Sequence, residues 1–318
     1  MLSIVRSKFR KFSILFIVAL ILLMSTTQMF AMDEHETYEH KTYDFSGGDG
    51  TKEKPFLISN SEDLIALSDV FSSDNNISNA YFKLTIDIDL GEWVWNPIGT
   101  QFTGFKGEFD GNGKKITIRN MADGDNFGLF GVIDSDATIK DLTVTGIINK
   151  KINSTKVVCF GLIAAKAEGT IESCKTNGNI VLTIDSTEDI YVGGAVGFGR
   201  GSFSNIKNEA SINLSGSGKR DISLGGIIGQ SHENAKELSY MTNMGTIKGN
   251  IDGMIRAGGI TGNHGFSPRM YSMLNQGDVL VTVKSLTGND GSVAAGGITG
   301  ELRNSDVDRA INKGKVFM

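Results

Sequence analysis

Four histidines could carry acid–base chemistry or hold a metal: His35, His40, His232 and His264. The first two stand in DEHETYEHKTY, a charged stretch that reads as a solvated lead-in rather than a metal site. His232 follows Gly229 by three residues and His264 follows Gly262 by two. Both glycines close a recurring box, so the pair is expected on one loop column with Arg200, Glu233, Phe266, Arg269 and Arg303. His232, His264, Phe266 and Arg269 are therefore the candidate binding residues. Paired carboxylates would signal glycan hydrolysis. Asp87 and Asp89 would share a strand face, and Asp185 and Asp189 a loop. Neither pair comes with a nearby Arg or Lys in a clear constellation, so no catalytic residue is expected. DGNG at 110–113 resembles the start of a calcium loop, but Met121 stands where loop position 12 requires an acid. A turn is expected there, with no metal and no cofactor. Trp93 and Trp95 point the same way if the segment is extended, and at least one is expected in the core.

These residues must be positioned by a repeat. One box recurs as FGLFG at Phe127, FGLIA at Phe160, GGAVG at Gly193, GGIIG at Gly225, and GGITG at Gly258 and Gly296. Anchored on Gly128, Gly161, Gly194, Gly226, Gly259 and Gly297, the intervals are 33, 33, 32, 33 and 38 residues. A polar loop at 285–291 absorbs the longer last interval. A second box follows each first one, apolar-x-Asn-x-Gly-x-(Ile/Val). Its asparagines are Asn208, Asn243, Asn275 and Asn312, and earlier copies carry Thr176 and Val144. Periodicity inside the boxes is two, as in strands, and no amphipathic helix fits between them. A unit of about 33 residues made only of strands cannot bury its own apolar face. It must stack on copies of itself, with successive coils pairing in parallel. The glycines suit corners, through φ > 0 or close backbone approach. The asparagine column suits a hydrogen-bonded ladder or αL corners.

Residues 44–125 precede the clear repeats. Ser59 and Glu62 form a capping box for a helix over 60–71, with Leu64, Leu67 and Phe71 on one face. YFKLTIDIDL alternates as a strand, and FKGEFDGNGKKITI reads as two strands joined at Asp110–Gly113. The order GGDGTKEKPFLI, SEDLIALS, YFKLTIDIDL, WNPIG, FKGEFDGNGKKI, NFGLFG resembles the opening of bacterial GLUG-repeat surface proteins. These are adhesin-like β-helices, and similar segments occur in the non-catalytic N-terminal parts of some immunoglobulin A peptidases. The likeness runs from about Phe45 to the C-terminus. It implies an all-β chain, a right-handed parallel β-helix (solenoid) with a short N-terminal capping helix, on or outside the cell. It implies no particular ligand. Against that family's pattern, no C-terminal anchor, later peptidase domain or metalloprotease His–Glu pair is expected in this chain.

The N-terminus reads as an export signal over 1–31, with an uncleaved membrane anchor as the alternative because Met29 is a poor residue three positions before the cleavage point. Arg6, Lys8, Arg10 and Lys11 lead an apolar run from Phe12 to Met24, and Ala31 ends the small-residue stretch. That run is too short to span a bilayer as a helix. Its removal takes four positive charges and no negative one, moving the net charge from −5 to −9. An acidic chain is a poor partner for nucleic acid or anionic membranes. Cys159 and Cys174 sit in apolar repeats and read as two buried thiols, with a disulfide between them as the alternative. The organisation expected is signal 1–31, flexible polar lead-in 32–43, cap and first coils 44–125, and about six coils over 126–318. The chain stops at Met318, two residues past Val316, so its last coil is expected to be open and able to associate end to end. The function expected is a secreted or cell-surface, non-catalytic binding protein for an extracellular glycan or a host or matrix protein. The alternatives are a glycan-active enzyme on the same scaffold and a severed accessory domain of a larger surface peptidase.

Overall fold

A computed structural model describes residues 45–73, 77, 79–232, 235–265, 269–284 and 293–318. The expected export signal, the lead-in, the 285–291 loop, Glu233 and Phe266 lie outside the described residues. The strands wind into a parallel β-solenoid whose described strands form four sheets, one of 18 strands, two of six and one of two. Pairing is parallel because each coil returns to the same place one rung further on. The phenylalanine–isoleucine column Phe109, Ile139, Ile171, Phe203, Leu238 and Met270 is wholly buried. Each such side chain contributes roughly 1.5–3 kcal/mol by leaving water. Polar residues alternate with them on the outside, which is the period of two read in the boxes.

The second box keeps the register expected of it: Val144, Thr176, Asn208, Asn243, Asn275 and Asn312 fall on successive rungs. The first box does not. Gly161 pairs with Gly193, not Gly194, and Gly193 with Gly225. The column is therefore Gly128, Gly161, Gly193, Gly225, Gly258, Gly296, and the neighbouring one is Leu129, Leu162, Gly194, Gly226, Gly259, Gly297. The second column explains the first. A Cβ built on Gly194 would lie 2.7 Å from Asn208 Cγ, and one on Gly226 2.6 Å from Asn243 Cγ. Gly259 and Gly297 meet Asn275 and Asn312 in the same way. Where the second box carries Val144 or Thr176, the partner position is free to be Leu129 or Leu162.

The asparagines form a continuous ladder. Asn208 Nδ2 donates to Asn243 Oδ1 at 2.8 Å, Asn243 to Asn275 at 2.7 Å, and Asn275 to Asn312 at 2.8 Å. Each amide also donates to the carbonyl two residues on, at 2.8–3.0 Å. Thr176 Oγ1 caps the run by donating to Asn208 Oδ1. None of these asparagines is in the αL region. That corner belongs to another column, Asp141, Ser173, Asn205, Tyr240, Ser272 and Arg309, all with φ between 50° and 60°.

The N-terminal segment differs from expectation in three details. Helix α1 spans Ser61–Ser73 and buries Leu64, Leu67 and Phe71. Its cap is Asn60, whose Oδ1 accepts from Asp63 N at 2.8 Å, while Asp63 accepts from Ser59 N at 2.7 Å. The reciprocal pair is thus one residue later at both ends than Ser59 and Glu62. Asn112 and Gly113 do turn the chain, with φ 50° and 69°. The flanking strands Glu108–Asp110 and Lys115–Ile118 pair with neighbouring coils instead of each other, so the turn is a solenoid corner, not a hairpin. Trp95 is buried and its Nε1 donates to Leu129 O, whereas Trp93 is half exposed. Phe71 packs on Phe105 (5.3 Å between centroids), and Phe105 on Phe130 of the first full coil, at 5.0 Å. Cys159 and Cys174 are free and buried, and burial pushes both thiols up to about 12.

Candidate functional site

Strand pairing decides where the expected site residues go. Ile228 pairs with Thr261, so Gly229 and Gly262 share a rung, and Ser231 pairs with His264. His232 is one residue further along. Because side chains alternate, that single step puts the two imidazoles on opposite faces. His264 points inward, fully buried, with Nε2 2.9 Å from Ser305 Oγ. His232 points outward and is half-buried. The single loop column expected for the two histidines does not form.

His232 belongs instead to an outward cluster. Gly199 pairs with Ser231, so Arg200 and His232 follow on adjacent rungs. Arg200 Nη2 lies 3.4 Å from His232 Nε2. A guanidinium can only donate, so the ring nitrogen is the acceptor in this contact. The His232 ring meets Phe198 edge-on at 5.6 Å, the Arg200 guanidinium lies 5.2 Å from the same ring, and Tyr191 stacks on it at 5.5 Å. Arg200 also reaches Glu168 at 3.4 Å, and the Tyr191 hydroxyl donates to Asp189 at 2.8 Å. Two residues named from sequence, His232 and Arg200, thus meet two that were not, Tyr191 and Phe198. Alternation in IYVG and VGFG is the signal that would have found them. Arg269 lies elsewhere, exposed and 3.2 Å from Asp308, and Arg303 pairs with Glu301 at 2.7 Å.

The carboxylates have partners that sequence spacing concealed. Asp87 lies 3.9 Å from Lys115, and Asp89 is 2.6 Å from Arg119, each one rung away. The expected lack of a nearby cation is corrected, since a coil of about 30 residues separates them in sequence. A backbone hydrogen bond from Gly91, with Arg119 beside it, holds the Asp89 carboxyl below its ordinary range. A carboxylate so stabilised is a poor proton donor. Asp185 accepts from Ser217 N and Oγ at 3.0 and 2.8 Å. Among the described residues, no three His, Cys, Asp or Glu side chains converge as metal ligands do.

Two curated proteins match part of the chain. Over 111 residues the chain is 38% identical to a candidate Gly-rich membrane protein of Evansella cellulosilytica, covering 32% of this chain and 12% of that one. Over 137 residues it is 29% identical to Halomucin of Haloquadratum walsbyi, covering 39% of this chain and 1% of that one. The chain therefore spans a small part of the length of either relative. Among solved structures, a candidate immunoglobulin A1 protease from Bacteroides ovatus aligns over 84% of this chain and 87% of that one. Its identity is 18% and its TM-score 0.49. No family model matches the chain. Among the described residues, no helix is long and apolar enough to cross a membrane.

Proposed function

We propose that the chain is a non-catalytic binding module exposed at, or released from, the cell surface, with a glycan or a host or matrix protein as ligand. The observation that carries this is the outward cluster of Tyr191, Phe198, Arg200 and His232 on a rigid solenoid. Half-buried aromatic rings beside an arginine are the composition of binding hot spots. Asp87 and Asp89 each face a cation on the next rung, which suits a scaffold better than proton transfer. The naming of one relative as a Gly-rich membrane protein agrees with a surface location. The test is an array of extracellular glycans and matrix proteins, read both for retention and for released product. Retention without product is expected, and Phe198→Ala with His232→Ala weakens it at least tenfold while circular dichroism stays unchanged. Release of saccharide or peptide products overturns the reading in favour of an enzyme.

A further inference from the structure

The αL corner column holds two bulky residues, Tyr240 and Arg309. An L-residue at positive φ is strained unless it is Gly, Asn or Asp, and bulky residues there are rare. Three rungs obey this with Asp141, Asn205 and the small Ser173, and Ser272 is also small. Tyr240 and Arg309 do not: they hold φ 53° and 57°, and Tyr240 is 55% exposed. Its position contributes little to the core, so an outside contact is the more economical reason for an aromatic at this corner. The next rungs continue the surface. Tyr271 meets Tyr240 edge-on at 5.4 Å and 80°, and the Arg309 guanidinium lies 5.2 Å from the Tyr271 ring. Asp308 and Arg269 flank them as an ion pair. Earlier rungs of the same outward columns carry Lys140, Glu172 and Ser204, so the aromatic character is confined to this end of the face.

Arg309 supplies the charge. Of the described arginines it alone has no carboxylate within 4.0 Å; the others, from Arg119 to Arg303, each have one. A guanidinium fixed over a ring and left uncompensated is arranged to take a carboxylate in two parallel hydrogen bonds. Beside it, tyrosine faces offer a flat apolar surface with a polar rim. A pyranose ring has the complementary division, with C–H groups on its face and hydroxyls at its edge. We propose that Tyr240, Tyr271 and Arg309 form a site for an acidic saccharide, a pyranose bearing a carboxylate. The sugar stacks on Tyr240, and its carboxylate meets Arg309. This site is separate from the His232 cluster and rests on the reading of the chain as a binding module.

The experiment uses the purified protein on immobilised oligosaccharides ending in glucuronate, galacturonate or sialic acid, each beside its carboxyl-reduced counterpart. Binding to at least one acid is expected, with at least tenfold weaker binding to its reduced form. Arg309→Gln removes that discrimination. Tyr240→Ser, which installs the residue already standing at 173 and 272, weakens binding at least tenfold with the fold retained. Equal binding of acid and reduced forms, or unchanged binding by Tyr240→Ser, overturns the site. Failure on every acid while a peptide or neutral glycan is retained overturns this assignment but leaves the binding-module reading standing. Failure on all ligands overturns both.

Discussion

Replacing Asn243 by alanine removes the centre of the amide ladder. The side chain is fully buried, receives one hydrogen bond from Asn208 and gives two, to Gly245 O and Asn275 Oδ1. Three such bonds at about 1 kcal/mol each come to about 3 kcal/mol. An Asn208 N–H is also left without a partner in a place water does not reach, which raises the cost to roughly 3–5 kcal/mol. Gly226, facing the amide, has no side chain to refill the space. Asn243→Thr is the control, because Thr176 Oγ1 already donates to Asn208 at an equivalent rung, and its cost is about 1–2 kcal/mol. Denaturant unfolding followed by circular dichroism gives the loss, and hydrogen exchange resolved by coil gives its location. Each coil touches only its neighbours, so faster exchange is expected in the rungs of Asn208, Asn243 and Asn275 and not at the α1 end. A loss under about 1 kcal/mol, or acceleration spread evenly along the solenoid, would refute the argument that the ladder holds these coils in register.

Three further outcomes follow from the same geometry. Gly226→Ala forces a methyl against Asn243 Cγ and Gly259 O, and a loss of about 1–3 kcal/mol is expected in thermal unfolding; a neutral result contradicts the close approach. Cys159 and Cys174 are buried with thiols raised to about 12, so iodoacetamide at pH 8 should label neither in the folded protein and both in denaturant; rapid native labelling would show that these rungs open. Lys175 and Lys207 both donate to Glu209 at 2.7 Å and hold its carboxyl below the ordinary 4.5. Such a group stabilises the fold above its unfolded pKa and loses that contribution as pH falls through the lower folded value. The Tm gap between wild type and Glu209→Gln should therefore narrow on acidification below pH 4.5, and parallel curves would count against the pairing.

What the sequence determined by itself is the stacking and the strand character. Two boxes kept in step over six copies can only be satisfied by a parallel solenoid, since strands of that length have no partner but the next coil. The asparagine column was legible for the same reason: each amide marks its own rung with a side chain. The cap helix showed through Leu64, Leu67 and Phe71, although its cap fell one residue later.

Tertiary structure alone decided everything that turns on a single residue of register. Gly193 and Gly194 carry no side chain to say which one sits over Gly161, and intervals of 32 and 33 fit the pattern equally well. A period of two makes that difference absolute: one step sent His264 to the core and His232 to solvent. The positive-φ corner was hidden because four of its six positions are ordinary polar residues. Tyr240, Tyr271 and Arg309 are more than 30 residues apart from one to the next, and only the pitch of the solenoid brings their side chains together.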